Sequence, residues 1–144
     1  DVHRAFFSVG KTFRSPSYLA TAFENATEPL AQEDPIHPHK FFLRRAVDAG
    51  HPGVRWEILL DERGDPQHPE YSDAHACKHV NFIQKRVPGL PDEQEFLFAA
   101  YSVFTVLSVH ESETPHADDP HVIVLQAAID NTSYPCNLPI APWG

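Results

Sequence analysis

Apolar and polar residues are arranged along the chain in short runs that predict a strand-rich protein. The segment "GVRWEILLD", residues 53–61, alternates between apolar and polar positions as a half-buried strand does, and "HVIVLQAAID", residues 121–130, is an apolar run typical of a well-buried strand. The segment "EFLFAAYSVFTVLSV", residues 95–109, exceeds the usual strand length of about five or six residues. It therefore predicts two strands with a bend at residues 99–101, or one long kinked strand.

Four shorter segments complete the pattern. "VHRAFFSV", residues 2–9, predicts a first strand, and "SYLATAF", residues 17–23, predicts an extended segment. "KFFLRRAVDAG", residues 40–50, predicts a short amphipathic helix that ends at Gly50. "CKHVNFIQKR", residues 77–86, predicts a short strand or a turn. The proline-rich and acidic segments lie between these elements, so they predict loops.

The predicted elements and the length of 144 residues favour one α+β domain over residues 1–144, with few short helices. The chain begins with Asp1 and contains no Met, so we interpret it as a mature product or an excised fragment. A fragment leaves open whether helices that belong to the domain precede Asp1.

Charge excludes some partners. The chain has 11 Lys and Arg against 20 Asp and Glu, a net charge of -9. Because nucleic-acid binding needs clustered cations, we expect no nucleic-acid partner. No apolar run approaches the roughly 18–20 residues of a membrane helix, so we expect no membrane partner either. The sequence leaves the oligomeric state open.

Two features favour a secreted or extracellular protein. Cys77 and Cys136 would close a loop of about 60 residues if they formed a disulfide. The sequons that begin at Asn25 and Asn131 are acceptors for N-glycosylation. Reduced cysteines and chance sequons are the alternative interpretation.

Metal binding is not predicted, although histidine is abundant. The pairs His75/His79 and His37/His39 have spacings that suit a metal ion on one face, but no H-E-x-x-H is present. We interpret these histidines as structural or solvent-exposed residues. The chain also has no G-x-G-x-x-G segment and no P-loop, so a Rossmann-type nucleotide site is not expected.

Two carboxylates, Glu93 and Glu95, stand at the entrance of the most apolar run. Residues two apart share one face of a strand, where like charges repel, so the pair is either a solvated strand entrance or is directed at a ligand. Paired carboxylates suit reactions through an oxocarbenium-like cation, because one stabilises positive charge while the other handles a proton.

The segment "DEQEFLFAAYSVFTV", residues 92–106, resembles the signature of the mono-ADP-ribosyltransferase family, in which E-x-E precedes a hydrophobic strand, a short turn and s-x-F-x-V. The family's aromatic-plus-Ser-Thr-Ser element is similar to "YLATAF", residues 18–23, with Thr21 at its centre. Arg4 stands where the family has an arginine on its first strand. The order Arg, Thr, Glu is that of the arginine-specific R-S-E subgroup.

This resemblance implies a split-sheet core that binds NAD, the co-substrate, in a cleft between two small sheets. It implies that Glu95 binds the 2′-hydroxyl of the nicotinamide ribose and that Glu93 serves the acceptor, an arginine of a protein substrate. It also implies that Arg4 holds the NAD pyrophosphate and that Thr21 supports Glu95. Such a protein would be a secreted toxin or effector that releases nicotinamide.

Some residues depart from the family pattern and leave alternatives open. Ala20 and Ala22 replace the two serines that flank the central Thr, which favours a pseudoenzyme that acts as a binding module. Arg14 is a second candidate for the NAD arginine, because Arg4 and Thr21 are close in sequence. Tyr18 and Phe23 are candidates for packing on nicotinamide, with packing in the protein core as the alternative. An NAD glycohydrolase and a carbohydrate hydrolase that uses Glu93 and Glu95 are further alternatives.

Overall fold

The fold combines two β-sheets with little helix. The computed structural model describes residues 5–22, 38–60, 80–83, 95–116 and 118–143. Its elements, in chain order, are β1 (Thr12–Arg14), β2 (Leu19–Ala22), α1 (Pro38–Asp48), β3 (Val54–Leu59), β4 (Val80–Ile83), β5 (Glu95–Phe98), β6 (Val103–His110), β7 (His121–Ala127) and a 3-10 turn (Asn131–Ser133). The chain is therefore strand-rich with few short helices, which agrees with the predicted α+β class.

The larger sheet has four strands in the order β1-β6-β7-β3 and is mixed. β6 is antiparallel to β1 and to β7, whereas β3 runs parallel to β7. A β-bulge lies between Val106 and Ser108, so Leu107 is exposed while Val109 returns to the inner face opposite Ile123. The bulge thus keeps both ends of β6 in contact with the core.

The smaller sheet is antiparallel, with β5 between β2 and β4. A turn at Ala99–Ser102 then leads the chain into β6 of the larger sheet. Tyr101 in this turn has φ 64°, a left-handed conformation that is uncommon for residues other than glycine. The turn confirms the predicted bend at residues 99–101 and places the two sheets next to each other.

Aromatic side chains form the core between the two sheets. Phe98 of β5 packs edge-on against Phe104 of β6 with ring centroids 5.1 Å apart, and both side chains are almost fully buried. Phe13 of β1 contacts Phe7 and Phe104. Trp143, close to the C-terminus, stacks on Phe7 at 5.2 Å. Both ends of the described chain therefore close over one core.

Helix α1 agrees with its prediction within two residues at each end. Gly50 follows it with φ 80°, as expected for a residue that terminates a helix. Gly53 leads into β3, and a Cβ atom there would lie 3.3 Å from Leu43 Cδ2, so α1 approaches the backbone closely at this point. No helix within the described ranges has the length and apolar character needed to cross a bilayer.

The predicted first strand is wrong where the structure describes it. Ala5 and Phe6 are helical, and the first strand is Thr12–Arg14. The segment "AFF" is apolar enough for either conformation, whereas Thr12–Arg14 becomes a strand because it pairs with residues 103–105 of β6. Pairing with a distant strand is not visible in local periodicity.

Candidate functional site

One of the two candidate carboxylate residues, Glu95, begins the middle strand of the smaller sheet. Glu95 is the first residue of β5, and its backbone pairs with Ala22 of β2 and Ile83 of β4. Glu93 lies outside the described residues, as do Arg4 and Phe23. The E-x-E segment thus leads directly into a strand that is hydrogen-bonded on both sides, which gives Glu95 a fixed backbone position.

Thr21 is a neighbour of Glu95 in the sheet but not its cross-strand partner. Thr21 pairs with Phe96, one residue after Glu95, and its hydroxyl donates a hydrogen bond of 2.8 Å to the Phe96 carbonyl oxygen. Directly paired residues share one face of a sheet, and consecutive residues of a strand alternate between its faces. The positions of Thr21 and Glu95 are therefore on opposite faces of the smaller sheet. Ala20 and Ala22, at the positions adjacent to Thr21, are exposed.

Arg14, the second candidate for the NAD arginine, lies on β1 and is bound by the protein itself. Its Nη1 donates to the carbonyl oxygen of Tyr101 at 3.0 Å. Its Nη2 lies within hydrogen-bond distance of three further carbonyl oxygens, those of Asn131 at 3.3 Å, Tyr134 at 3.1 Å and Pro135 at 3.0 Å. The guanidinium therefore joins the turn before β6 to the C-terminal segment, a structural task.

Ser15 and Ser17 are two residues that our sequence analysis did not select. Ser15 is fully buried between β1 and β2, and its hydroxyl donates to the Ser17 carbonyl oxygen at 2.8 Å. The backbone of Ser15 is bonded to Ser102 and Tyr101, so the segment is fixed against the turn before β6. The signal was present in the sequence: an aromatic residue, Phe13, followed by two serines two residues apart.

Of the two candidate aromatic residues, Tyr18 lies within the described part of the chain. The side chain of Tyr18, just before β2, is 68% exposed, so the alternative of packing in the core is wrong for this residue. Its exposure keeps it accessible to a ligand. Phe23, the other candidate, lies outside the described residues.

A cavity of about 670 Å³ lies between the inner face of the larger sheet and the start of β2; we refer to it as the apolar cavity. Its walls are mainly aromatic and aliphatic. The apolar lining residues are Phe7, Leu19, Pro52, Val54, Trp56, Val109, Pro115, Ile123 and Trp143. A volume and lining of this kind are typical of sites for small organic ligands. Leu19, which lines the apolar cavity, pairs with Phe98 at the opposite end of β5 from Glu95. The backbone positions of Glu95 and Phe98 are about 10 Å apart along the strand, so the cavity is separated from Glu95 by the length of β5.

The polar residues of the apolar cavity are Glu111, Ser112, Glu113 and His121. They belong to the loop after β6 and to the start of β7, and hydrogen bonds hold this loop. The Ser112 hydroxyl donates to Asp119 at 2.8 Å, and the Ser112 backbone N–H donates to His121 Nδ1 at 3.1 Å. The carboxylate-bearing rim is therefore part of a fixed loop.

Three other sequence predictions fall partly outside the described residues, because Asn25, His37, His75 and His79 lie outside them. Among the described residues, no group of three or more His, Cys, Asp or Glu is placed to hold a metal ion. Asn131 of the second sequon uses its amide inside the fold, because its Oδ1 accepts from the Val103 N–H at 2.8 Å and its Nδ2 donates to the Ser102 hydroxyl at 3.5 Å. Cys136 is exposed, whereas Cys77 lies outside the described residues.

Comparisons of the chain with family models, curated proteins and solved structures find no match.

Proposed function

We propose that the chain is an NAD-dependent mono-ADP-ribosyltransferase that transfers ADP-ribose to an arginine of a protein and releases nicotinamide. The observation that carries the proposal is the position of Glu95, the last residue of the E-x-E sequence, at the start of the middle strand of the smaller sheet. The chain also builds two sheets, one mixed and one antiparallel, that share an aromatic core. Two small sheets are what the resemblance to this family implies.

The proposed chemistry needs one carboxylate for each substrate. The bond between nicotinamide and C1 of the ribose breaks, and its electron pair leaves with the nicotinamide nitrogen. The Glu95 carboxylate accepts a hydrogen bond from the ribose 2′-hydroxyl and stabilises the cation that forms beside it. Arg4 binds the pyrophosphate, for which a permanently charged planar guanidinium is well suited.

The acceptor requires the second carboxylate. A guanidinium has a pKa above about 12 in its free form, so it cannot attack carbon until a proton is removed. Glu93 takes that proton as a guanidine nitrogen bonds to C1 of the ribose. Removing Glu93 therefore affects the transfer to arginine, whereas removing Glu95 affects every reaction of NAD.

One observation favours a catalytically silent relative of the same family. The Thr21 hydroxyl donates to the Phe96 carbonyl oxygen, and Ala20 and Ala22 beside it supply no hydroxyl. A relative of this kind would bind a partner without turnover.

The test is nicotinamide release from NAD by the purified chain, with and without a small arginine analogue. We expect release to depend on Glu95, so Glu95→Gln lowers it at least about 100-fold. Glu93→Gln should retain release but lose its stimulation by the arginine analogue. Glu57→Gln is the matched control, because Glu57 pairs with Arg55 at 2.8 Å on the face of β3 away from the core.

Each result has one interpretation. Nicotinamide release that is lost in Glu95→Gln but is not stimulated by the arginine analogue supports an NAD glycohydrolase. If neither release nor NAD binding occurs, the transferase proposal fails. Binding measured by calorimetry without turnover supports the pseudoenzyme.

A further inference from the structure

We propose that the apolar cavity is a binding site for an organic cation, a compact amidinium, guanidinium or ammonium group attached to an apolar body. The volume of about 670 Å³ exceeds what a single side chain of the protein needs, and it accommodates a small organic molecule. This inference does not depend on the proposed transferase activity.

The charges around the apolar cavity select the sign of the ligand. Glu111 and Glu113 line it, and no Lys or Arg is present among the described residues that do so. The described lining therefore offers two carboxylates and no Lys or Arg, so an anion such as a diphosphate finds no lysine or arginine partner among these residues.

The aromatic walls favour a cation for a second, independent reason. Trp56 and Trp143 meet edge to face with ring centroids 5.0 Å apart, and Phe7 contacts both rings. The Trp56 side chain is 37% exposed although it lies on the inner face of the sheet. An indole face attracts a cation electrostatically and also packs against an apolar body. Carboxylates at the rim and indole walls below them together match a ligand with a charged head and an apolar body.

The loop that carries the carboxylates is already fixed. Ser112 is buried and bonded to Asp119 and to His121, so Glu111 and Glu113 are attached on both sides of an anchored residue. Because the loop is ordered before the ligand arrives, binding does not have to meet the entropic cost of ordering it.

Intrinsic fluorescence provides a direct test, because both tryptophans of the chain, Trp56 and Trp143, line the apolar cavity. The probes are benzamidine, benzamide and benzoate, which share one shape and carry a positive charge, no charge and a negative charge at pH 7. We expect benzamidine to change tryptophan emission saturably and to bind at least about fivefold more tightly than benzamide. Benzoate should bind most weakly of the three.

Variants separate the charge effect from shape. Glu111→Gln and Glu113→Gln should each reduce the preference for benzamidine over benzamide while leaving benzamide binding unchanged. Glu57→Gln, on the opposite face of β3, is the matched control and should behave as the parent chain. Circular dichroism of each variant verifies that it is folded.

Three results would overturn the proposal. The first is tryptophan emission that does not respond to benzamidine. The second is equal affinity of the parent chain for benzamidine and benzamide. The third is an undiminished preference for benzamidine in the folded Glu111→Gln, Glu113→Gln double variant.

Discussion

Replacing Arg14 should destabilise the fold, because its guanidinium joins two segments that are distant in sequence. Its terminal nitrogens donate to carbonyl oxygens of Tyr101, Asn131, Tyr134 and Pro135 at 3.0 to 3.3 Å. Hydrogen bonds from a buried charged group contribute about 1.5–3 kcal/mol each, but three of these four are exposed to water. With about 0.5–1 kcal/mol for each of the four bonds, Arg14→Met should lower the free energy of unfolding by roughly 2–4 kcal/mol.

The measurement is equilibrium unfolding in urea, with Arg55→Met as the matched control. Arg55 pairs with Glu57 at 2.8 Å on the sheet surface, where a single ion pair contributes less than about 1 kcal/mol. Arg14→Lys keeps the charge but places all donors on one nitrogen, so we expect about half the loss of Arg14→Met. For a chain of this length, Arg14→Met lowers the melting temperature by roughly 7–13 °C.

Equal destabilisation by Arg14→Met and Arg55→Met would refute this reasoning. The same variants also distinguish the two candidate arginines for NAD. If Arg14 served the NAD pyrophosphate instead, Arg14→Lys would weaken NAD-dependent nicotinamide release while leaving the unfolding midpoint unchanged.

Four further substitutions test the packing and the turns. Tyr101→Gly should raise the free energy of unfolding by roughly 0.5–1 kcal/mol, because φ 64° disfavours a side chain and glycine removes that strain. Phe104→Ala should lower it by about 3–5 kcal/mol, because this ring is fully buried, whereas Leu107→Ala at the exposed bulge should change it by less than about 1 kcal/mol. Asn131→Ala should cost about 1–2 kcal/mol, because the Val103 N–H loses its acceptor.

Urea unfolding measures all of these changes. A clear loss of stability in Tyr101→Gly would show that the tyrosine ring outweighs the backbone strain. Similar effects of Phe104→Ala and Leu107→Ala would contradict the inward and outward assignment of β6. For Asn131, intact mass after expression in a glycosylating host provides a second measurement. We expect no glycan at this residue, because both polar atoms of its amide are bonded inside the fold.

The sequence by itself determined most of the local structure of the described residues. The alternation within residues 53–61 and the apolar run at residues 121–130 contain β3 and β7. The length of the run at residues 95–109 correctly predicted two strands with a bend. Gly50 correctly marked the end of the helix. These features depend on the spacing of side chains within one segment, which the sequence displays directly.

Only the tertiary structure decided how these segments combine. Thr12–Arg14 has no strand-like apolar pattern and becomes a strand because it pairs with β6. The family resemblance implies that Thr21 supports Glu95. Only the register of β2 and β5 shows that Thr21 is opposite Phe96. A shift of one residue changes the face of every side chain in a strand, and cross-strand register depends on partners distant in sequence.

The apolar cavity illustrates the same limit for function. Its walls come from Phe7, Leu19, β3, the segment around residues 109–123 and Trp143, which are spread over nearly the whole chain. The predicted elements gave no indication of a cavity, because periodicity indicates only that a residue is buried. Whether buried surfaces meet or leave a space is set by the packing of distant segments, and therefore by the tertiary structure alone.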